Sequence, residues 1–240
     1  MRVLGIETST AVCGVGLQID GGEYVERSLV ESHIHSEKLL TLVQEVLAEA
    51  GVSLHQIDAV AVSLGPGSFT GLRIGLSTAK GLSYSLERPL IAVPTFEAIA
   101  EAVRAVNAPV REIVVVMDAR QGEFYTGRYR VTAAGDVEIM DEVRVMRLED
   151  AVALIPTEGE ALVVTDALPL VRSAVRQGVA VEDVHPYCRG GVVANIGRRK
   201  LAANELADTA LLEPLYLKDF VVRSAERINK NTRSRSDLRS

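Results

Sequence analysis

The first third of the chain changes from an alternating to a helical hydrophobic pattern. Residues 2–6 and 12–19 are apolar runs, and residues 23–30 continue the extended pattern after the turn signal Asp20-Gly21-Gly22. Apolar residues then recur at helical spacing over residues 36–50, which end at a glycine. The pattern predicts a three-stranded antiparallel meander followed by a helix.

The next segment alternates buried strands with helices. Residues 58–64 form an unbroken apolar run that is typical of a buried strand, and the glycine-rich segment 65–71 follows it. We predict a helix over 72–86, a strand over 90–93 and a third helix over 94–106.

The same order of elements restarts after residues 107–109. A second meander is followed by alternating helices and strands, which predicts an α/β protein with two lobes of similar architecture, residues 1–106 and 107–222. Whether the last helix packs back on the first lobe is open at this stage. The predicted strands are 112–117, 123–131, 136–145, 161–165 and one near 181; the predicted helices are 148–154, 168–177 and 192–206.

Composition and charge exclude several classes of protein. The 240 residues are 48% hydrophobic and 24% charged, and no apolar run approaches the roughly 20 residues of a membrane span. The opening residues do not resemble a signal peptide, and Cys13 and Cys188 have no metal or redox spacing. We therefore expect a cytoplasmic protein without a membrane segment.

The end of the chain is basic although the net charge is −6. Residues 223–240 hold six basic and two acidic residues, a local charge of +4. Such a segment is either a flexible tether for phosphates or a solvated end, and the sequence leaves both open.

Two hairpin turns are candidates for anion binding. Glu7-Thr8-Ser9 follows the first strand, and Asp118 to Arg120 occupy the same position in the second half. Facing hairpins hold nucleotide phosphates in ATPases related to actin, hexokinase and Hsp70, because backbone N–H groups point into such turns. The residues Glu7, Thr8, Ser9, Asp118 and Arg120 are therefore either a vestigial cleft for ATP or ADP, without turnover, or two ordinary turns.

A stripe of small residues begins in the glycine-rich segment. Gly71, Gly75, Ala79 and Ser83 recur every fourth residue of the predicted second helix. No Gly-Lys-Ser/Thr follows the glycines, so a P-loop is excluded. The stripe either packs under the protein's own sheet or faces a partner helix.

A histidine pair is the only local hint of a metal site in the sequence. His33 and His35 lie near Glu37, but a zinc site needs a third ligand that the local spacing does not provide. Solvated loop histidines are favoured.

Long segments of the chain resemble one known family. LGIETST, HSEKLL, AVAVSLGPGSFTGLRIGLSTAKGLSYSL, MDARQGEFY and LEPLYLKD together resemble the TsaB (YeaZ) family over nearly all of residues 1–220. The resemblance implies the two-lobed actin-like ATPase fold (ASKHA, ribonuclease H-like). It also implies a role in the bacterial synthesis of threonylcarbamoyladenosine at position 37 of tRNA.

The resemblance further implies a subunit that is not itself an enzyme. The catalytic paralogue TsaD carries a His-x-x-x-His metal pair where this chain has Pro94 to Ala100, which contain no histidine. Without ligands that donate a lone pair, metal-dependent transfer is not expected. The rival functions are an independent ATPase or phosphotransferase and, less favoured, a metallohydrolase.

By resemblance, the first lobe pairs with a TsaD-like protein through its two helices, 36–50 and 72–86. A TsaE-like small ATPase joins the complex, tRNA is bound through it, and the chain forms homodimers when its partner is missing. The candidate interface residues are Leu39, Leu42, Val43, Val46, Gly71, Leu72, Gly75, Ala79 and Ser83.

Overall fold

The first half of the chain forms a five-stranded mixed sheet. In this computed structural model, residues 1–19, 24–31, 33–107, 110–156 and 161–218 are described. The strand order is β3-β2-β1-β4-β5, with the β1–β2–β3 meander antiparallel and β4 and β5 parallel to β1. The elements are β1 (Val3–Glu7), β2 (Val12–Gln18), β3 (Tyr24–Val30), α1 (His35–Ala50), β4 (Ala59–Ser63), α2 (Phe69–Leu86), β5 (Leu90–Val93) and α3 (Thr95–Val106).

The second half repeats this topology. Its sheet has the order β10-β9-β6-β7-β8, again an antiparallel meander extended by parallel strands. The elements are β6 (Glu112–Asp118), β7 (Glu123–Val131), β8 (Val137–Arg147), α4 (Leu148–Ala153), β9 (Ala161–Thr165), α5 (Leu168–Ala174), β10 (Ala180–Asp183) and α6 (Gly190–Ala202). The predicted two-lobed α/β fold is confirmed.

The first sheet is covered by helices on both faces. Side chains alternate along a strand, so Leu4 and Ile6 face one side, where they join the core formed with α1 and α2. Val3 and Ala61 face the other side, where they pack against Val193 of α6. Burial on both faces explains why β1 and β4 are continuous apolar runs.

Helix α6 returns to the first lobe and lies directly on its strands. A Cβ added at Gly5 would be 2.2 Å from Gly190 O, and one at Gly16 would be 2.2 Å from Gly191 N. Glu26 of β3 accepts a hydrogen bond from Gly191 N (3.1 Å), satisfying one of the first N–H groups of the helix. Glycines on both partners permit this close approach.

Helix α3 of the first half of the chain packs on the second lobe. It belongs to residues 1–106 in sequence, yet Phe96, Ile99 and Val103 pack against the second sheet. Ala98 of the same helix joins the core around α6. Each lobe is therefore packed against a helix that comes from the other half of the chain. The predicted boundary at residue 106 separates the two halves in sequence, but the two cores share α3 and α6.

Several predicted bounds differ from the structure. Helix α2 begins at Phe69, three residues before its predicted start, because Ser68 caps it. Helix α6 ends at Ala202, and residues 203–218, which we name the C-terminal strap, contain no helix or strand. The predicted tail 223–240 lies outside the described residues. None of the described helices combines the length and apolar composition needed to cross a bilayer.

Candidate functional site

The nine candidate interface residues lie inside the lobe. The four on α1 and the five on α2 are all buried in the single chain. Amphipathic helices turn their apolar face to the sheet that they cover, so these side chains contact the protein's own core. The prediction that they form an outer surface is wrong, and the small-residue stripe is internal packing.

The stripe packs on the turn of the first hairpin. A Cβ added at Gly71 would lie 2.1 Å from Thr8 O, and one at Gly75 would lie 2.1 Å from Thr8 Oγ1. Just before the helix, a Cβ added at Gly67 would lie 2.3 Å from Ser9 O. Ser68 N donates a hydrogen bond to the same oxygen at 2.7 Å. The conspicuous GPGSFTG segment therefore fixes the beginning of α2 onto residues 8–9.

The first hairpin does not fit a nucleotide phosphate. Glu7, Thr8 and Ser9 are fully buried, and the N–H of Ser9 donates to Glu7 Oε1 at 2.6 Å. The N–H of Thr8 donates to Ser63 Oγ at 3.3 Å. Because these donors are satisfied internally and glycines cover the turn, it lacks the open concavity that phosphate binding requires. Of the two alternatives for Glu7, Thr8 and Ser9, these contacts favour an ordinary packed turn.

Burial of the Glu7 carboxyl raises its pKa, against hydrogen bonds from Ser9 and Ser63 that lower it. A carboxyl whose pKa is higher in the folded than in the unfolded state destabilises the fold once it ionises. Each unit of such a shift costs about 1.4 kcal/mol above the folded pKa. The penalty fades as the pH falls through the folded pKa and is absent below the unfolded value.

Glu7→Gln is therefore expected to raise the free energy of unfolding at pH 8, since the amide oxygen still accepts the Ser9 hydrogen bonds but cannot ionise. The gain over the unsubstituted protein should shrink towards zero as the pH approaches 4.5, the ordinary pKa of the side chain. Urea unfolding of both proteins across this range measures the difference. If the variant were less stable by the same amount at every pH, ionisation of a buried Glu7 would not be the cause, and the raised pKa would be contradicted.

The second hairpin is more open. Asp118 and Arg120 are exposed, and Asp118 Oδ1 accepts a hydrogen bond from Arg120 N at 2.7 Å. Asp118 N in turn donates to Asp166 Oδ1 at 2.8 Å, which places two carboxylates at the carboxyl ends of β6 and β9. Burial raises the pKa of Asp166. Arg120 Nη1 lies 3.6 Å from Asp118 Oδ2, so a cation stands beside these carboxylates, and the nucleotide role of Asp118 and Arg120 stays a prediction.

The C-terminal strap joins the two lobes at this hairpin. Leu215 N donates to Leu64 O at 2.8 Å, and Tyr216 OH accepts from Arg73 Nε at 2.9 Å, so the strap runs beside the beginning of α2. The Lys218 ammonium then reaches the second lobe. It donates to Ala119 O and Arg120 O, both at 3.1 Å, and pairs with Glu123 at 2.7 Å.

Lys218→Met is expected to loosen the strap, because the turn loses a donor that satisfies two carbonyls and a carboxylate. Amide exchange at Leu215 should accelerate about tenfold, which corresponds to about 1.4 kcal/mol of local stability. The matched control is Lys200→Met, whose side chain is 23% exposed against 24% for Lys218 and pairs with Glu205 at 3.6 Å. Equal exchange rates in both variants would contradict an interlobe role.

The two histidines lie in different environments. His35 is the first residue of α1, is buried, and its Nε2 lies 3.1 Å from Val12 O. The expectation of a solvated loop is thus wrong for His35 and fits the exposed His33. Among the described residues, no group of three or more histidine, cysteine or acidic side chains is arranged to hold a metal ion.

The segment that begins at Pro94, which contains no histidine, is packed. Thr95 and Phe96 are fully buried, and Thr95 Oγ1 accepts a hydrogen bond from Gly65 N at 3.1 Å. The segment starts α3 and fastens it to the glycine-rich loop.

The outer faces of α1 and α2 are the open surface of the first lobe. Tyr84 is 86% exposed, Leu40 is also exposed, and a Cβ added at Gly81 would meet nothing within 4 Å. Ser77, Gly81 and Ser85 form a second small-residue stripe, offset by two positions from the buried one. Two positions on a helix rotate by about 200°, so the two stripes lie on opposite faces. The sequence contains this second stripe, but we singled out only the first.

Comparisons with known proteins identify the family. The family model described as "TsaD: tRNA N6-adenosine threonylcarbamoyltransferase" matches residues 29–163, which is just over half of the chain. YeaZ from Pseudomonas aeruginosa superposes with a TM-score of 0.78 at 26% identity, over 90% of this chain and 100% of that one. The tRNA threonylcarbamoyladenosine biosynthesis protein TsaB of Escherichia coli K12 is 39% identical over 130 residues. This chain belongs to the TsaB (YeaZ) family.

The match to TsaB proteins is partial in length. The aligned region covers 54% of this chain and 55% of the E. coli TsaB; for the Bacillus subtilis 168 TsaB, 32% identical, the shares are 54% and 56%. The chain thus spans about half the length of the curated relatives it matches. Component A of the Acidaminococcus fermentans (R)-2-hydroxyglutaryl-CoA dehydratase shares the fold alone, with a TM-score of 0.50 at 10% identity over 85% of this chain and 99% of that one.

Proposed function

We propose that this chain is a non-catalytic subunit of a bacterial complex that synthesises N6-threonylcarbamoyladenosine at position 37 of tRNA. It pairs with a TsaD-like transferase and activates it. Membership of the TsaB family supports a role in threonylcarbamoyladenosine synthesis. The description of the matching family model as TsaD supports a TsaD-like protein as the partner. A TsaE-like ATPase, tRNA bound through the complex and a cytoplasmic location belong to the same proposal.

The observation that carries the pairing is the exposure of Leu40, Gly81 and Tyr84 on the outer face of α1 and α2, which the described residues leave open beyond the contacts of the strap with Arg73 and Lys80. Their inner faces are already used by the first lobe's core, so the pair of helices can bind only through the exposed side. Ser77, Gly81 and Ser85 allow the backbone of another helix to come close, and the nearby Tyr84 offers a large side chain of the type enriched in interface hot spots. The same face on a second copy gives the homodimer proposed for the unpaired chain.

The absence of catalysis is supported by the first hairpin. The N–H groups of Thr8 and Ser9 are already used within the protein, and Gly67 and Gly71 pack directly on the turn, which leaves little room there for a phosphate. Residues 94–100 supply no histidine to a metal. The chain therefore acts on its partner by contact: it favours the partner conformation that its outer face binds more tightly.

A reconstituted reaction tests this function. The chain alone should hydrolyse no ATP above a buffer blank. The TsaD-like protein, the TsaE-like ATPase and tRNA from the same organism, supplied with threonylcarbamoyl-adenylate, should give little modified nucleoside until the chain is added. ATP turnover by the chain alone would favour the independent ATPase instead, and a full yield without the chain would contradict the proposal.

A further inference from the structure

A groove that the proposed function does not use lies between α3, β8 and α6. One section has a volume of about 520 Å³ and is lined by Glu97, Glu101, Tyr129, Glu138 and neighbouring apolar residues. An adjoining section of about 400 Å³ shares Glu97 and Glu101 and continues towards α6. The groove is on a different side of the molecule from the outer faces of α1 and α2.

Tyr129 at the floor of the groove has an unused hydroxyl. The residue is only 2% exposed and packs in the core of the second lobe, yet it lines the cavity. No hydrogen bond to its hydroxyl is found among the described residues. The hydroxyl oxygen is not among the fully buried atoms that lack a partner, so it opens into the groove, where a polar ligand can take the place of water.

The carboxylates around this hydroxyl differ in how well they are paired. Glu101 is paired with both Arg104 and Arg199. Glu97 has no hydrogen bond or ion pair within the described part of the chain, and burial raises its pKa although the nearby Lys200 and Arg199 act to lower it. Arg199 and Lys200 line only the adjoining section, where they pair with Glu101 and Glu205. Among the described residues, those that line the section at Tyr129 include carboxylates and no cation.

Apolar side chains complete the section. Val137 and the exposed Ile139 of β8 lie beside the carboxylates. This combination matches a cationic head on a short hydrocarbon stem: the charge pairs with Glu97 and Glu138, the phenol oxygen accepts a hydrogen bond, and the stem covers the apolar wall.

We propose that this groove binds an organic cation, a guanidinium or primary ammonium group on an apolar stem. Phosphates and other anions are disfavoured because the described residues that line this section include Glu97, Glu101 and Glu138 and no cation. The cation comes either from a free amine or from a basic side chain of this chain's own residues 219–240, which contain six lysine and arginine residues. Both sources present the same chemistry to Glu97 and Tyr129.

Titration of the full chain with agmatine at constant ionic strength, followed by amide NMR, tests the proposal. Saturable changes in amide chemical shift should be confined to residues around 97–101 and 129–139. Glu97→Gln should weaken binding about tenfold, because a charged hydrogen bond is lost, and Tyr129→Phe should weaken it severalfold while keeping the ring. Glu45→Gln, an exposed glutamate on α1, is the matched control and should change nothing.

A further variant separates the two sources. Substitution of the six basic residues of the tail by glutamine should leave agmatine affinity unchanged if the cation is a free amine. The same variant should raise that affinity and shift the groove amides if the tail is the native occupant. Shifts spread evenly over all acidic surfaces, or equal binding by the Glu97→Gln and Glu45→Gln proteins, would overturn the proposal.

Discussion

Gly71→Ala is expected to lower the free energy of unfolding by about 3 kcal/mol or more, enough to leave much of a marginally stable domain unfolded. The added methyl would lie 2.1 Å from the carbonyl oxygen of Thr8, a backbone atom that cannot rotate away. To relieve the clash, α2 must move off the first hairpin and lose packing along its buried face. Urea unfolding followed by circular dichroism measures the effect.

Two variants on the same helix sharpen this test. Gly81→Ala should stabilise the protein by about 0.5–1 kcal/mol, because its methyl meets open space and alanine favours the helix. Gly75→Ala should be destabilising but largely rescued by Thr8→Ala, since its clash at 2.1 Å is with the Thr8 side chain. Thr8→Ala should not rescue Gly71→Ala. Normal melting of Gly71→Ala alone would contradict the internal position of the stripe.

Gly81→Arg is expected to weaken binding of the TsaD-like partner at least 100-fold without lowering the melting temperature of the chain, because arginine also favours the helix over glycine. A long charged side chain would occupy the notch on the outer face of α2, and 100-fold corresponds to about 2.7 kcal/mol. Calorimetric titration of the partner measures the affinity.

The control for this variant is Leu170→Arg, which adds the same charge at an exposed position of α5 in the second lobe. It should bind the partner as the unsubstituted chain does. If both variants lose affinity equally, the effect is one of net charge and the outer face of α2 is not the interface.

Hydrophobic periodicity predicted α1 and α2 and the residues that share one face of each, but not what covers that face. A stripe such as Gly71, Gly75 and Ala79 permits close approach to any backbone, and the same spacing serves a sheet or a partner helix. The choice depends on where residues 8–9 lie in three dimensions, which local sequence does not determine.

Other features depend on long-range packing that no local pattern encodes. Glu7 and Ser9 are typical of an exposed turn, yet the glycine-rich loop about sixty residues later buries them. Helix α3 is continuous with the first lobe in sequence but packs on the second sheet through Phe96. The C-terminal strap has no periodicity, so the contact of Lys218 with the second hairpin could not be predicted.

The most direct test of the account is the yield of modified nucleoside in the reconstituted reaction when Gly81→Arg replaces the unsubstituted chain. At protein concentrations that saturate the unsubstituted chain, the yield should fall to the level seen without any chain. It should recover as the variant is added in large excess, because weakened pairing is overcome by mass action. A full yield at low concentration from a variant that does not pair would show that the chain works by some means other than binding its partner through this face.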